Sequence, residues 1–213
     1  MTKARPRGTG DGHSTILGGK TVRYINQKDH WDIPYYHNTE NGGPAPGRNS
    51  VATSGCGLCS MCMVVDHLTV QTLTLEECVR ISESCGANRK VGTMLRVLGP
   101  VVAERFDLAY STTNDKAVLV RHLQSGGEAI VNVACNADGT PGLFTKGGHY
   151  MVVVCVDGDT VCILDPDYKP GKFDAPERVA KVKEKPPFLY CSLDALMQEA
   201  SNRDPGFYLF KRK

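Results

Sequence analysis

The segment from Leu58 to Leu68 constrains this chain more than any other. It is apolar almost all the way round, rich in methionine, and entered through Gly55-Cys56-Gly57. A helix with no polar face is stable in water only when the rest of the protein encloses it. The chain therefore has to supply a full globular core around this segment. At 213 residues, with 41% apolar and 23% charged, it has the length and composition to do so in one domain. A net charge of +2 is too near neutral to argue for nucleic acid or an anionic membrane as partner. No apolar run approaches the roughly 20 residues that a membrane span needs. The polar start, with Lys3, Arg5 and Arg7, is not followed by the apolar stretch of a secretory signal, so the expected location is the cytoplasm. Nine cysteines, an odd number lying mostly in apolar segments, read as reduced, buried thiols.

Residues 1 to 20 lack apolar periodicity and are expected to form a flexible tail ahead of a domain spanning 21–213. A short strand is predicted over Val22–Ile25, and a Gly/Pro/Asn-rich loop over Asn38–Asn49. Thr74 and Glu77 have the spacing of a capping box, opening a helix that stops at Gly86. Further helices are predicted over Thr93–Leu98, stopped by Gly99-Pro100, and over Asp115–Gln124, stopped by Gly126-Gly127. Strands then follow over Glu128–Ala134, His149–Val156 and Thr160–Leu164, the last two joined by a tight turn at Asp157-Gly158-Asp159. A helix over Ser192–Ala200 and a closing strand over Phe207–Lys211 complete the chain. Helices first and mostly antiparallel strands second indicate an α+β fold.

Four local features carry chemistry. Ser54-Gly55-Cys56-Gly57 places a cysteine at a helix N-terminus, where unpaired N–H groups and the helix dipole favour a thiolate. Flanking glycines allow a substrate backbone to approach the sulfur. The same segment also reads as a core cysteine with glycine caps. Gly147-Gly148-His149-Tyr150 puts a histidine at the mouth of an apolar strand, at the rim of a site or merely at a strand end. Asp165-Pro166-Asp167 ends the next strand. A hairpin would set Asp165 beside His149, where it can accept the imidazole N–H and hold the ring. Gln27, upstream, is an amide donor of the kind that binds an oxyanion beside a backbone N–H.

Taken in order, Gln27, Gly55-Cys56-Gly57, Gly147 to Val154 and Asp165-Pro166 resemble the papain-like cysteine peptidases related to the bacteriocin-processing, double-glycine leader peptidases. The resemblance spans about Tyr24 to Asp165 and includes Trp31. It departs where that family often has Pro-Thr after Gly-Cys-Gly, here Leu58-Cys59, and at Cys62, where a small residue is usual. It implies a central helix bearing the nucleophile, packed on an antiparallel sheet. It also implies hydrolysis of a peptide or peptide-like amide by Cys56, His149, Asp165 and Gln27, with no cofactor. The implied partner is a peptide or protein substrate.

Other readings stand beside it. One is an acyl or peptidyl transferase of the same fold, like phytochelatin synthase. Another is a non-catalytic peptide-binding domain. The Cys56-x-x-Cys59-x-x-Cys62 spacing suggests a metal-binding domain, although a further ligand would have to come from His67 or Cys78. The expectation favoured is the thiol peptidase, with Cys59 and Cys62 packed in the core. Gly18-Gly19 in Ile16-Leu17-Gly18-Gly19 reads first as a hinge between tail and first strand; since the resembled family cuts after paired glycines, self-cleavage after Gly19 is the alternative.

Overall fold

The computed structural model describes residues 13–17, 20–36, 49–89, 92–136 and 138–213. Strands β1 (His13–Leu17) and β2 (Lys20–Tyr24) pair antiparallel, so the expected tail contains a strand; the shared register, not local composition, sets it. Gly18 and Gly19, and with them the proposed cleavage site, lie outside the described residues, as does most of the loop expected over 38–49. A 3-10 turn (Gln27–Asp29) and the short helix α1 (Val51–Ser54) lead into α2 (Cys56–Leu68). Helix α2 is the segment the sequence required to be enclosed: Leu58, Met61, Cys62, Val64 and Val65 have no exposed surface.

Helix α3 (Leu75–Ser84) opens at Thr74, whose side chain accepts the Glu77 N–H, and ends before Gly86 at φ 71°. After the small ladder β3 (Asn88–Arg89) and β4 (Gly92–Thr93) comes α4 (Leu95–Arg105). This helix runs through Gly99-Pro100 rather than stopping there. Pro100 lies on its exposed side, so the carbonyl that loses its N–H partner can turn to water. Gly99 lies on the buried side, where a Cβ would sit 2.7 Å from the Tyr110 ring.

The remaining elements are β5 (Leu108–Thr113), α5 (Lys116–Gln124), β6 (Glu128–Val133), β7 (His149–Asp157), β8 (Thr160–Leu164), α6 (Pro176–Val179), β9 (Lys183–Lys185), β10 (Phe188–Ser192), α7 (Leu193–Ala200) and β11 (Phe207–Arg212). Seven of the strands form one antiparallel sheet in the order β5-β11-β6-β7-β8-β10-β9. The closing strand β11 is thus an interior strand, inserted between β5 and β6. Strands β5, β9 and β10 were not expected from the sequence.

The sheet is covered on both faces. One core joins α2, α3 and α4 to Ile130, Val152 and Leu164. The other joins α5 and α7 to Val131, Met151, Val153 and Ile163. Strand β7 therefore buries alternate residues on opposite faces, which explains its near-continuous apolar run. Among the described residues no helix is long and apolar enough to cross a membrane.

Candidate active site

Cys56 is the first residue of α2 and is partly exposed. The flanking glycines serve packing. A Cβ at Gly55 would sit 2.5 Å from a Val51 methyl, and one at Gly57 would sit 2.9 Å from Thr93 and 3.2 Å from the Tyr150 ring. Both the α1–α2 corner and the wall beside the sulfur thus depend on the missing side chains.

His149 opens β7, buried, with its imidazole beside the Cys56 thiol on the same cleft, close enough for each to shift the other's titration. The β7–β8 hairpin turns at Gly158, φ 54°, with Asp157 opposite Thr160. A β-bulge between Val153 and Cys155 then shifts the register by one residue, which turns His149 and Asp165 to the same face. The His149 Nε2 lies 2.6 Å from Asp165 Oδ1, leaving Nδ1 for the sulfur. Asp165 is fully buried and its carboxylate is saturated. Oδ1 also accepts the Asp167 N–H at 2.8 Å, and Oδ2 accepts from Lys172 Nζ at 2.6 Å. The Tyr24 hydroxyl donates to the Asp165 carbonyl, and the Gln27 N–H to the Pro166 carbonyl, so the 24–27 segment braces this corner.

These contacts set the charges. Burial pushes the Cys56 thiol up, but the hydrogen bond and charge of His149 and the N–H groups of Tyr150 and Gly57 outweigh it, leaving the thiol below its ordinary value. Burial pushes the His149 imidazole down, but the Asp165 carboxylate and the Cys56 sulfur raise it to about 9. Burial raises the Asp165 carboxyl, yet His149 and Lys172 hold it well below the usual carboxylate range. The arrangement therefore keeps the His149 imidazole as an imidazolium at neutral pH and shifts Cys56 toward its thiolate.

Gln27 is brought near but not into the cleft. Its side chain is buried, with Nε2 donating to the Ala52 carbonyl at 3.1 Å and Oε1 unpaired. Trp31 is 65% exposed and so is no part of the core. Cys59 and Cys62 are fully buried in the core under α2, where burial holds their thiols well above the ordinary value. The Cys62 thiol faces the Thr74 carbonyl, and Cys78 the Leu58 carbonyl. Among the described residues no three His, Cys, Asp or Glu side chains are placed to share a metal ion.

Cys56 and His149 open onto a cleft of about 540 Å³. Its walls come from Thr93 and Met94 ahead of α4, Asn132 of β6, Tyr150 of β7 and Tyr208 of β11. Arg96, Arg203 and Asp204 also line it. Sequence reasoning missed Lys172 and all these wall residues except Tyr150, because no motif marks them and only the sheet order assembles them.

A protein-family model, the Peptidase C39 like family, matches residues 20–182. The chain belongs to this family. It is accordingly a cysteine peptidase, with the α+β, papain-like architecture expected from the sequence. Among solved structures, this C39-like peptidase is similar to a putative C39-like peptidase from Bacillus anthracis. The identity is 13% and the TM-score 0.51, over 85% of this chain and 95% of that one. It is also similar to the peptidase domain of Streptococcus ComA, described as a bi-functional ABC transporter involved in a quorum sensing pathway. There the identity is 15% and the TM-score 0.46, over 74% of this chain and 91% of that one. No sequence match to a curated protein was found.

Proposed function

We propose that Cys56, His149 and Asp165 form the catalytic triad of this peptidase, within a unit spanning 21–213, and that it cleaves an amide bond of a peptide or protein through an acyl-enzyme. The observation that carries the reading is His149, which joins a cleft-facing thiol to a fully buried carboxylate.

The Cys56 thiolate attacks the scissile carbonyl carbon, forming a C–S bond as the π pair moves to oxygen. That oxyanion is met by the Cys56 backbone N–H, one of the unpaired donors of the helix N-terminus, and by the Gln27 amide once it leaves the Ala52 carbonyl and turns toward the cleft. As the tetrahedral intermediate collapses, the C–N bond breaks and the His149 imidazolium gives its Nδ1 proton to the leaving amine. The neutral imidazole then takes a proton from water, whose oxygen attacks the thioester. The carboxylic acid product leaves, and the thiolate and imidazolium are restored. Asp165 holds the ring with Nδ1 toward the sulfur throughout.

Brief treatment with iodoacetamide near neutral pH, followed by peptide mapping, tests this. Cys56 should be labelled well ahead of the other eight cysteines, and the preference should vanish in His149→Ala. Even labelling, or labelling led by Cys59 or Cys62, would sink the assignment. Cys56→Ala should in addition abolish peptide cleavage.

A further inference from the structure

The cleft carries two guanidinium groups that the triad does not use. Arg96 sits in the first turn of α4, and Arg203 in the segment before β11. Elsewhere in the fold several cations have acidic partners: Arg23 with Asp66, Arg105 with Glu77, Lys116 with Asp194 and Lys172 with Asp165. Among the described residues, Arg96 and Arg203 have none. Arg96 uses one amino group, Nη2, on the carbonyl of Asp204 at 2.5 Å. Arg203 is half-buried, and its Nε is enclosed with no hydrogen-bond acceptor.

Arg203 also stands next to the reacting groups. A Cβ on Gly148 would lie 3.1 Å from its Nη2, and Gly148 directly precedes His149. The absent side chain makes room for the guanidinium at the rim. Among the described residues, Asp204 is the only acid lining the cleft, against two arginines. An enclosed N–H without an acceptor is costly, and the two amino groups left on the half-buried guanidinium form a planar fork that fits a carboxylate.

We propose that the cleft recognises a substrate carboxylate within a residue or two of the scissile carbonyl, gripped by Arg203 and supported by Arg96. The carboxylate belongs to an Asp or Glu side chain or to a free C-terminus. This rests on the reading of Cys56 as nucleophile, and the test separates the two.

Four chloroacetyl reagents, which alkylate a thiolate with loss of chloride, serve as probes. Chloroacetyl-Glu amide is compared with chloroacetyl-Gln amide, and chloroacetyl-Gly acid with chloroacetyl-Gly amide. The acid-to-neutral ratio of labelling rates at Cys56, read by mass spectrometry, cancels differences in thiolate reactivity. At least one pair should favour the acid by about tenfold, the size of one charge-assisted hydrogen bond. Preference in the Glu pair assigns a side-chain carboxylate, and preference in the Gly pair a chain terminus. The ratio should fall toward one in Arg203→Gln, and more modestly in Arg96→Gln, whose exposed position tolerates the change. In the unaltered protein it should shrink with added salt. Equal rates in both pairs, or a preference that survives Arg203→Gln, overturn the proposal. Neutral reagents that label Cys56 no faster than the other cysteines overturn the nucleophile reading instead.

Discussion

Replacing Asp165 with Asn tests how the buried carboxylate controls the site. With the imidazolium roughly 4 Å from the carboxylate charge and an effective dielectric of about 20, the Coulomb energy is about 4 kcal/mol. That is about three pKa units, enough to bring the His149 imidazole from about 9 to about 6. The alkaline limb of kcat/KM, where the imidazolium is lost, should fall by that amount. Lys172 adds a second penalty. In the native protein Oδ1 faces His149 and Oδ2 faces Lys172, both at 2.6 Å. An Asn amide has one oxygen for these two donors. If the oxygen faces His149, the NH2 meets the ammonium. If it faces Lys172, the NH2 meets Nε2 and forces the wrong tautomer. Asp165→Asn should therefore be severely impaired, and adding Lys172→Met should recover part of the activity by freeing the oxygen for His149. The assay is the pH profile of cleavage, with circular dichroism to confirm folding. An alkaline limb still near 9 in folded Asp165→Asn would refute the electrostatic argument, and a double variant no better than the single would refute the donor conflict.

Two further outcomes follow from the same geometry. His149 has a raised folded pKa, so its pairing stabilises the fold fully below about 6.5 and the gain is lost as pH rises through about 9. The difference in melting temperature between the native protein and His149→Ala should accordingly be larger at pH 6 than at pH 10; an equal difference at both would contradict it. Gly57→Ala should push on Thr93 and Tyr150 and cost about 1–3 kcal/mol in urea unfolding, with a loss of Cys56 reactivity that Gly147→Ala, whose Cβ would meet nothing within 4 Å, does not show.

Much of this was legible in the amino-acid order because its signals are local. An all-round apolar run can only be an enclosed helix, and α2 is one. Thr74 with Glu77, Asp115 and Ser192 mark helix starts through side-chain caps that need only neighbouring residues. The Asp157-Gly158-Asp159 turn marks the β7–β8 hairpin, but Asp165 reaches the face of His149 only through the bulge between Val153 and Cys155, which no sequence signal marks. Three features depended on tertiary context. Helix α4 passes through Pro100 because packing decides which face meets water. Strand β1 exists because β2 offers it a ladder. The unexpected strands β5, β9 and β10 take their place from long-range pairing. The cleft is decided in the same way: Arg96, Lys172 and Arg203 are separated along the chain and carry no spacing signal. Only the insertion of β11 between β5 and β6 and the closure of the 165–172 loop bring their charges to Cys56 and His149, because side chains far apart in sequence meet only when the sheet order is complete.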